Sequence, residues 1–264
     1  MKKFNMIAMV ASLALITGAA NAESVRVIVK TKSAVNASSK LQNKVLQSKP
    51  GTNAYVLLNV AGADNEAVLA ELRASGKYDS VELDVLVTSP KPSRVELAFD
   101  GVKSSSLDDR ANPNDERFED QYYWEKQAGD QLGRSNLIGA YKIANGSYKV
   151  TVGVIDSGFS PHADVVFKEG YSFTTAFGEE RKADFYATLP LEECDWGHGL
   201  SIVSIIGAQT NNDIGIAGVA DVDIVVARAM NCGVGYLSDV AEALNWQAGK
   251  SIDGIPDISK KADV

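Results

Sequence analysis

Two histidines and two cysteines are all that the 264 residues hold of the commonest soft metal ligands. His162, His198, Cys194 and Cys232 show none of the dense spacings of a structural zinc site, which argues against zinc as an organising centre. Basic residues are also in deficit, 26 against 34 acidic, for a net charge of −8. Such a surface favours neither nucleic acid nor anionic membranes as partners. Long apolar runs are missing as well. The longest, Met6 to Ile16, falls well short of the roughly 20 residues that a membrane span requires. No internal repeat and no low-complexity tract is present.

That short run has a different meaning at its position. Lys2 and Lys3 precede it, and Ala20-Asn21-Ala22 follows as a small-residue cleavage site. Residues 1–22 therefore read as a secretory signal, which predicts a secreted or periplasmic protein with no membrane attachment after cleavage. Without them the net charge is −10, since they hold two lysines and no acid. Export places the two cysteines in an oxidising compartment and favours a Cys194–Cys232 disulfide.

Two regions then follow different rules. Val25, Val27 and Val29 alternate with Arg26 and Lys30 as one strand, and Asn53 to Val60 reads as another. In "DNEAVLAELRASG", Asp64 can cap a helix, Val68, Leu69 and Leu72 form its apolar stripe, and Gly76 can end it. "VELDVLV" alternates again through Val81, Leu83, Val85 and Val87. A small β-α-β-α-β unit is expected, followed by a stretch rich in proline, serine and charge that reads as a connection. From about Tyr148 the pattern becomes α/β. Val150, Val152, Val154 and Ile155 lead to Asp156, a helix opens at His198 and ends near Gly207, and a strand runs from Val222 to Met230. A last helix is expected from Ser238, its N-cap, to Gly249.

The chemistry concentrates in two of these segments. Asp156 ends a buried strand, and in open α/β sheets that end is where ligands bind and catalytic groups gather. His198 opens a helix between Gly197 and Gly199, which let the backbone turn tightly beside the imidazole. A strand-ending aspartate followed by a helix-opening histidine is the first part of an Asp…His…Ser order.

"VGVIDSGF" and "WGHG" followed by "NNDIGIAGVA" resemble the Asp and His motifs of the subtilisin-like serine proteases. "PNDERFEDQYYW" resembles the opening of the mature enzyme in that family, and "SNLIGAYKIANGSYKV" the helix leading into the Asp strand. The resemblance implies the following organisation: a signal peptide at 1–22, an inhibitor-like propeptide domain of α+β, ferredoxin-like form at 23–100, and a linker with the mature N-terminal segment at 101–147. Residues 148–264 would then be the first part of an α/β, parallel-sheet, subtilisin-like catalytic domain, incomplete at Val264. By the same resemblance Asp156 orients His198, and His198 is the general base of a peptide-bond hydrolase made as a zymogen. Protein or peptide substrates and the chain's own propeptide are the implied partners. A calcium ion would take Asp164, a side-chain oxygen of Asn212 and the carbonyls of Ile214 and Ile216.

Two departures stand against the family pattern. Leu200 stands where threonine is usual, and Ser201 where a second histidine is often found. No Gly-Thr-Ser nucleophile motif and no oxyanion asparagine can be recognised, and Ser201, Ser204 and Ser238 lie in the wrong context. The alternative reading is a secreted, non-catalytic remnant whose small domain acts as an inhibitor or folding assistant.

Overall fold

The computed structural model describes residues 24–32, 44–47, 54–62, 64–88, 112–125, 134–144, 149–187 and 197–264. The signal segment, most of the connecting stretch and Cys194 fall outside them. The chain divides into two compact units, one up to Leu83 and one from Asp84.

In the first unit, strands β1 (Ser24–Thr31), β2 (Lys44–Gln47), β3 (Tyr55–Ala61) and β4 (Tyr78–Leu83) form an antiparallel sheet in the order β2-β3-β1-β4. Alternation decides which face is dry. Val25, Val27 and Val29 of β1 are buried with Val56, Leu58 and Val81. Helix α1 (Asn65–Ala74) covers them with Val68 and Leu69, and Leu72 packs at the margin. The Asp64 carboxylate caps this helix by accepting the Glu66 and Ala67 N–H groups at 2.9 and 3.3 Å. Gly76, at φ +64°, follows the helix in the left-handed conformation that glycine adopts without strain.

"VELDVLV" does not form one strand. β4 stops at Leu83, and β5 (Leu86–Thr88) pairs antiparallel with β9 (Val234–Tyr236) in the second unit. Asp84 causes the break. Its carboxylate is buried and accepts both the Ser238 N–H at 2.9 Å and the Ser238 hydroxyl at 2.8 Å. The last helix, α4 (Leu237–Gln247), therefore opens one residue before Ser238, after an extended Tyr236. Ser238 is not the N-cap expected from the sequence: Asp84, 154 residues away, supplies the acceptor instead.

The second unit is built on a parallel sheet of β6 (Thr151–Asp156), β8 (Asp223–Arg228) and β7 (Phe167–Ser172), in that order. Val154, Ile224 and Val226 face a layer containing Val203, Leu200 and Ile206 of α3 (His198–Gly207). Ile155 and Ala227 face the opposite layer, with Ala243 and Trp246 of α4. Both faces are thus covered, as a parallel sheet requires. The three C-terminal strand ends, Asp156, Arg228 and Ser172, lie side by side. Along the free side of β6, Val264 accepts the Gly153 N–H at 2.9 Å and Asp263 donates to the Thr151 carbonyl at 2.8 Å.

A further cluster joins α2 (Leu137–Ala144) to the residues around Trp124, through Ile138, Phe118 and Ala217. Gln121 clamps Ala217 from both sides, accepting its N–H at 2.7 Å and donating to its carbonyl at 2.8 Å. Among the described residues, no helix is long and apolar enough to cross a membrane.

Candidate active site

Asp156 closes β6 at the strand end where the sequence placed it. Its Oδ1 accepts the Ser157 N–H at 2.6 Å and the Ser157 hydroxyl at 3.0 Å. Gly158, at φ +150°, then carries the chain out of the sheet in a conformation that L side chains rarely adopt. His198 is the first residue of α3, 42 positions further on, with its Nδ1 2.8 Å from Asp156 Oδ2 and 3.0 Å from Oδ1. A carboxylate only accepts, so Nδ1 carries the proton and Nε2 is left as the free base position. The imidazole is 36% exposed, whereas Asp156 is largely shielded. The pair is a base that water or a substrate can reach, backed by an acid held in one orientation.

Gly199 lets the pair meet. A Cβ there would lie 2.3 Å from the Gly158 carbonyl oxygen and 3.2 Å from Asp156 Cβ. The serines near the histidine are otherwise engaged or turned away. Ser204 donates to the Leu200 carbonyl at 2.8 Å, Ser238 to Asp84, and Ser201 is exposed on α3. Leu200 packs partly buried against the core between sheet and α3.

The four residues expected at calcium do converge. Asp164, fully buried, accepts the Asn212 side-chain N–H at 2.9 Å and the Ile216 N–H at 3.0 Å. Asn212 Oδ1 accepts the Ile214 N–H at 2.9 Å. Asn212 therefore turns its nitrogen toward Asp164, and the backbone N–H groups of Ile214 and Ile216 face inward.

Two contributors escaped the sequence reading. Ser157 fixes the Asp156 carboxylate, and its signal was present in the "DSG" that follows the strand. Asp115 is buried beside the same loop as Asp164. Its Oδ2 accepts the Asn211 N–H at 3.0 Å, while its Oδ1 has no partner among the described residues. His162 Nδ1 accepts the Asp164 N–H at 3.2 Å. No group of three or more His, Cys, Asp or Glu side chains placed to hold a metal occurs among the described residues.

The candidate site is thus an aspartate–histidine pair at the C-terminal strand ends of a doubly covered parallel sheet, where α/β sheets gather ligands and catalytic groups. Residues 147–264 match the subtilase family. It is similar to an extracellular protease of Xanthomonas campestris pv. campestris, at 32% identity over 73% of this chain and 35% of that protein. An extracellular basic protease of Dichelobacter nodosus is 27% identical over 91% of this chain and 43% of its own length. A halolysin-like extracellular serine protease of Natrialba magadii is 28% identical over 60% of this chain and 27% of that protein. The chain thus spans less than half the length of each of these relatives.

Proposed function

We propose that this chain contributes the Asp156–His198 part of an Asp-His-Ser triad in an exported serine endopeptidase that hydrolyses peptide bonds. The observation that carries the proposal is the 2.8 Å contact from His198 Nδ1 to Asp156 Oδ2, with Nε2 left outward. In this reading Nε2 takes the proton of an attacking serine hydroxyl and returns it to the leaving amine, while Asp156 stabilises the imidazolium between the two steps. The relatives' names, extracellular proteases, support the same activity. The test is hydrolysis of peptide substrates by the full-length secreted protein. Activity should be abolished by an organophosphorus serine reagent, and full activity in its presence would overturn the reading.

The same assay tests regulation. Leu86–Thr88 lie antiparallel on β9 as an added strand, the way an extended peptide pairs with a sheet edge. We infer that substrates pair with β9 in the same way, and that residues 23–100 act as the enzyme's own inhibitor until removed. Added residues 23–100 should slow hydrolysis, and an unchanged rate would refute the inhibitory role.

Export predicts a precursor that begins at Glu23 once the signal is cleaved and is secreted or periplasmic. We also place a disulfide between Cys194 and Cys232. Cys232 supports it by lying in a tight turn beside the strand ends, at φ +50°. An unreduced intact mass that corresponds to this start and lacks two hydrogens should result, and two alkylatable thiols would count against the disulfide.

Calcium is the cation the loop at 211–216 suits. Among the described residues Asp164 is buried with no cationic partner, and Asp115 Oδ1 is buried with no partner. With its amide turned over, so that Oδ1 in place of Nδ2 faces Asp164, Asn212 would join the Asp164 carboxylate and the Ile214 and Ile216 carbonyls in a hard-oxygen donor set of the kind calcium takes. At ~100 times its dissociation constant, calcium should stabilise the fold by about 2.7 kcal/mol. Equal melting temperatures in calcium and in chelator would exclude the site.

A further inference from the structure

Arg228 ends β8 directly beside Asp156 in the parallel register, and its side chain is fully buried. The guanidinium donates through Nη1 and Nη2 to Glu179 Oε2 and Oε1, at 3.1 and 3.0 Å, as a bidentate pair. Glu179 Oε1 also accepts the Asn231 side-chain N–H at 3.0 Å. Asn231 in turn opens the tight turn that launches β9. Its N–H and C=O pair with the C=O and N–H of Val234 at 2.8 and 2.9 Å, with Cys232 and Gly233 between them at φ +50° and +68°. On its other side Arg228 lies against the catalytic turn, since a Cβ on Gly158 would stand 3.7 Å from Arg228 Nε. The N–H of the next residue, Ala229, donates to the Asp156 carbonyl at 3.0 Å. A single carboxylate thus links the entry of β9 to the strand that flanks Asp156.

We propose that Glu179 is a positioning residue that couples peptide pairing on β9 to the geometry of the Asp156–His198 pair. This rests on the endopeptidase reading above. Glu179 acts through Asn231 and Arg228. A strand added to β9 loads the Asn231–Val234 turn, and Glu179 passes that load through its bidentate pair with the buried Arg228 to the Asp156–Gly158 turn. The expected outcome is that binding contacts remote from the reacting bond raise kcat and not only affinity.

The experiment compares the full-length secreted protein with Glu179→Gln, Glu179→Asp and Asn231→Ala. Two chromogenic substrates share the residue at the cleaved bond: one is a single residue, the other extends three residues further to pair with β9. In Glu179→Gln, kcat on the extended substrate should fall by roughly tenfold more than kcat on the short one. Asn231→Ala, which leaves the ion pair in place, should show the same selective loss, and Glu179→Asp should recover part of it. Equal losses on both substrates would mean a merely structural role and overturn the proposal. Absence of any selective loss would overturn it too. If the unaltered protein cleaves neither substrate, the endopeptidase reading fails separately. The coupling is then read from the His198 Nδ1 proton resonance. A shift on adding the extended peptide, absent in Asn231→Ala, supports the coupling; no shift, or equal shifts, refutes it.

Discussion

Gly199→Ala should loosen the catalytic pair and destabilise the second unit together. The added methyl would meet the Gly158 carbonyl oxygen at 2.3 Å, the Phe159 ring at 3.1 Å and Asp156 Cβ at 3.2 Å. The nearest of these is backbone, held in place by the sheet, and cannot swing aside as the tip of a flexible side chain can. Helix α3 must therefore shift outward, and His198, the residue immediately before, moves with it. Overpacking of this kind costs about 1–3 kcal/mol, occasionally more. In a unit of this size each kcal/mol lowers the melting temperature by roughly 2–4 °C. Thermal unfolding and the His198–Asp156 distance check the prediction. An unchanged melting temperature with the 2.8 Å contact intact would show that the helix has slack not visible in the structure. Gly197→Ala is the control, because Gly197 has an ordinary φ of −73° and a Cβ there would meet only Ser201 Oγ, at 3.7 Å. It adds the same methyl without the collision.

The second large effect is expected for Asp156→Asn, and its reason lies with Ser157. The Ser157 N–H and hydroxyl both donate to Oδ1, so an asparagine would keep its oxygen there. Its Nδ2 would then occupy the Oδ2 position, 2.8 Å from His198 Nδ1. Two N–H donors cannot face each other, so the imidazole must carry its proton on Nε2 and leave Nδ1 bare. The base is then absent from the side that needs it. If the proposed triad operates, kcat of the full-length protein should fall by about 10,000-fold with KM little changed, the size of the same change in the Ser-His-Asp triad of serine proteases. Nitrogen NMR of His198 should report the exchanged tautomer. Loss of less than tenfold, or a proton still on Nδ1, would disprove this account of how the pair is held.

Much of this site could be read from local pattern. The run Val152, Val154, Ile155 specified β6 and put Asp156 at its end, and the glycines around His198 marked the helix start. Asp64 and the stripe Val68, Leu69 specified α1 for the same reason: cap and periodicity lie within a few residues of each other. Interactions that join distant segments left no such trace. Asp115 in "PNDERF" looks like turn chemistry until the fold brings it to Asn211, 96 positions away. Glu179 sits in a charged loop and gives no hint of a buried arginine 49 residues later. β7, "FKEGYS", shows no clean alternation because its neighbours, not its own pattern, decide what it buries. Alternation likewise carried "VELDVLV" through Asp84 as one strand, since the partner that bends it is 154 positions away.

β5 pairs with β9 through the main-chain bonds of an antiparallel ladder, and Leu237 adds one more by donating to the Val85 carbonyl at 3.0 Å. Atoms that every residue possesses cannot discriminate between residues. Leu86, Val87 and Thr88 are therefore free to drift over generations so long as proline stays out of the ladder. Asp84 is bound by its side chain and has no such latitude, so mutation should wear away the letters around it and leave that one standing.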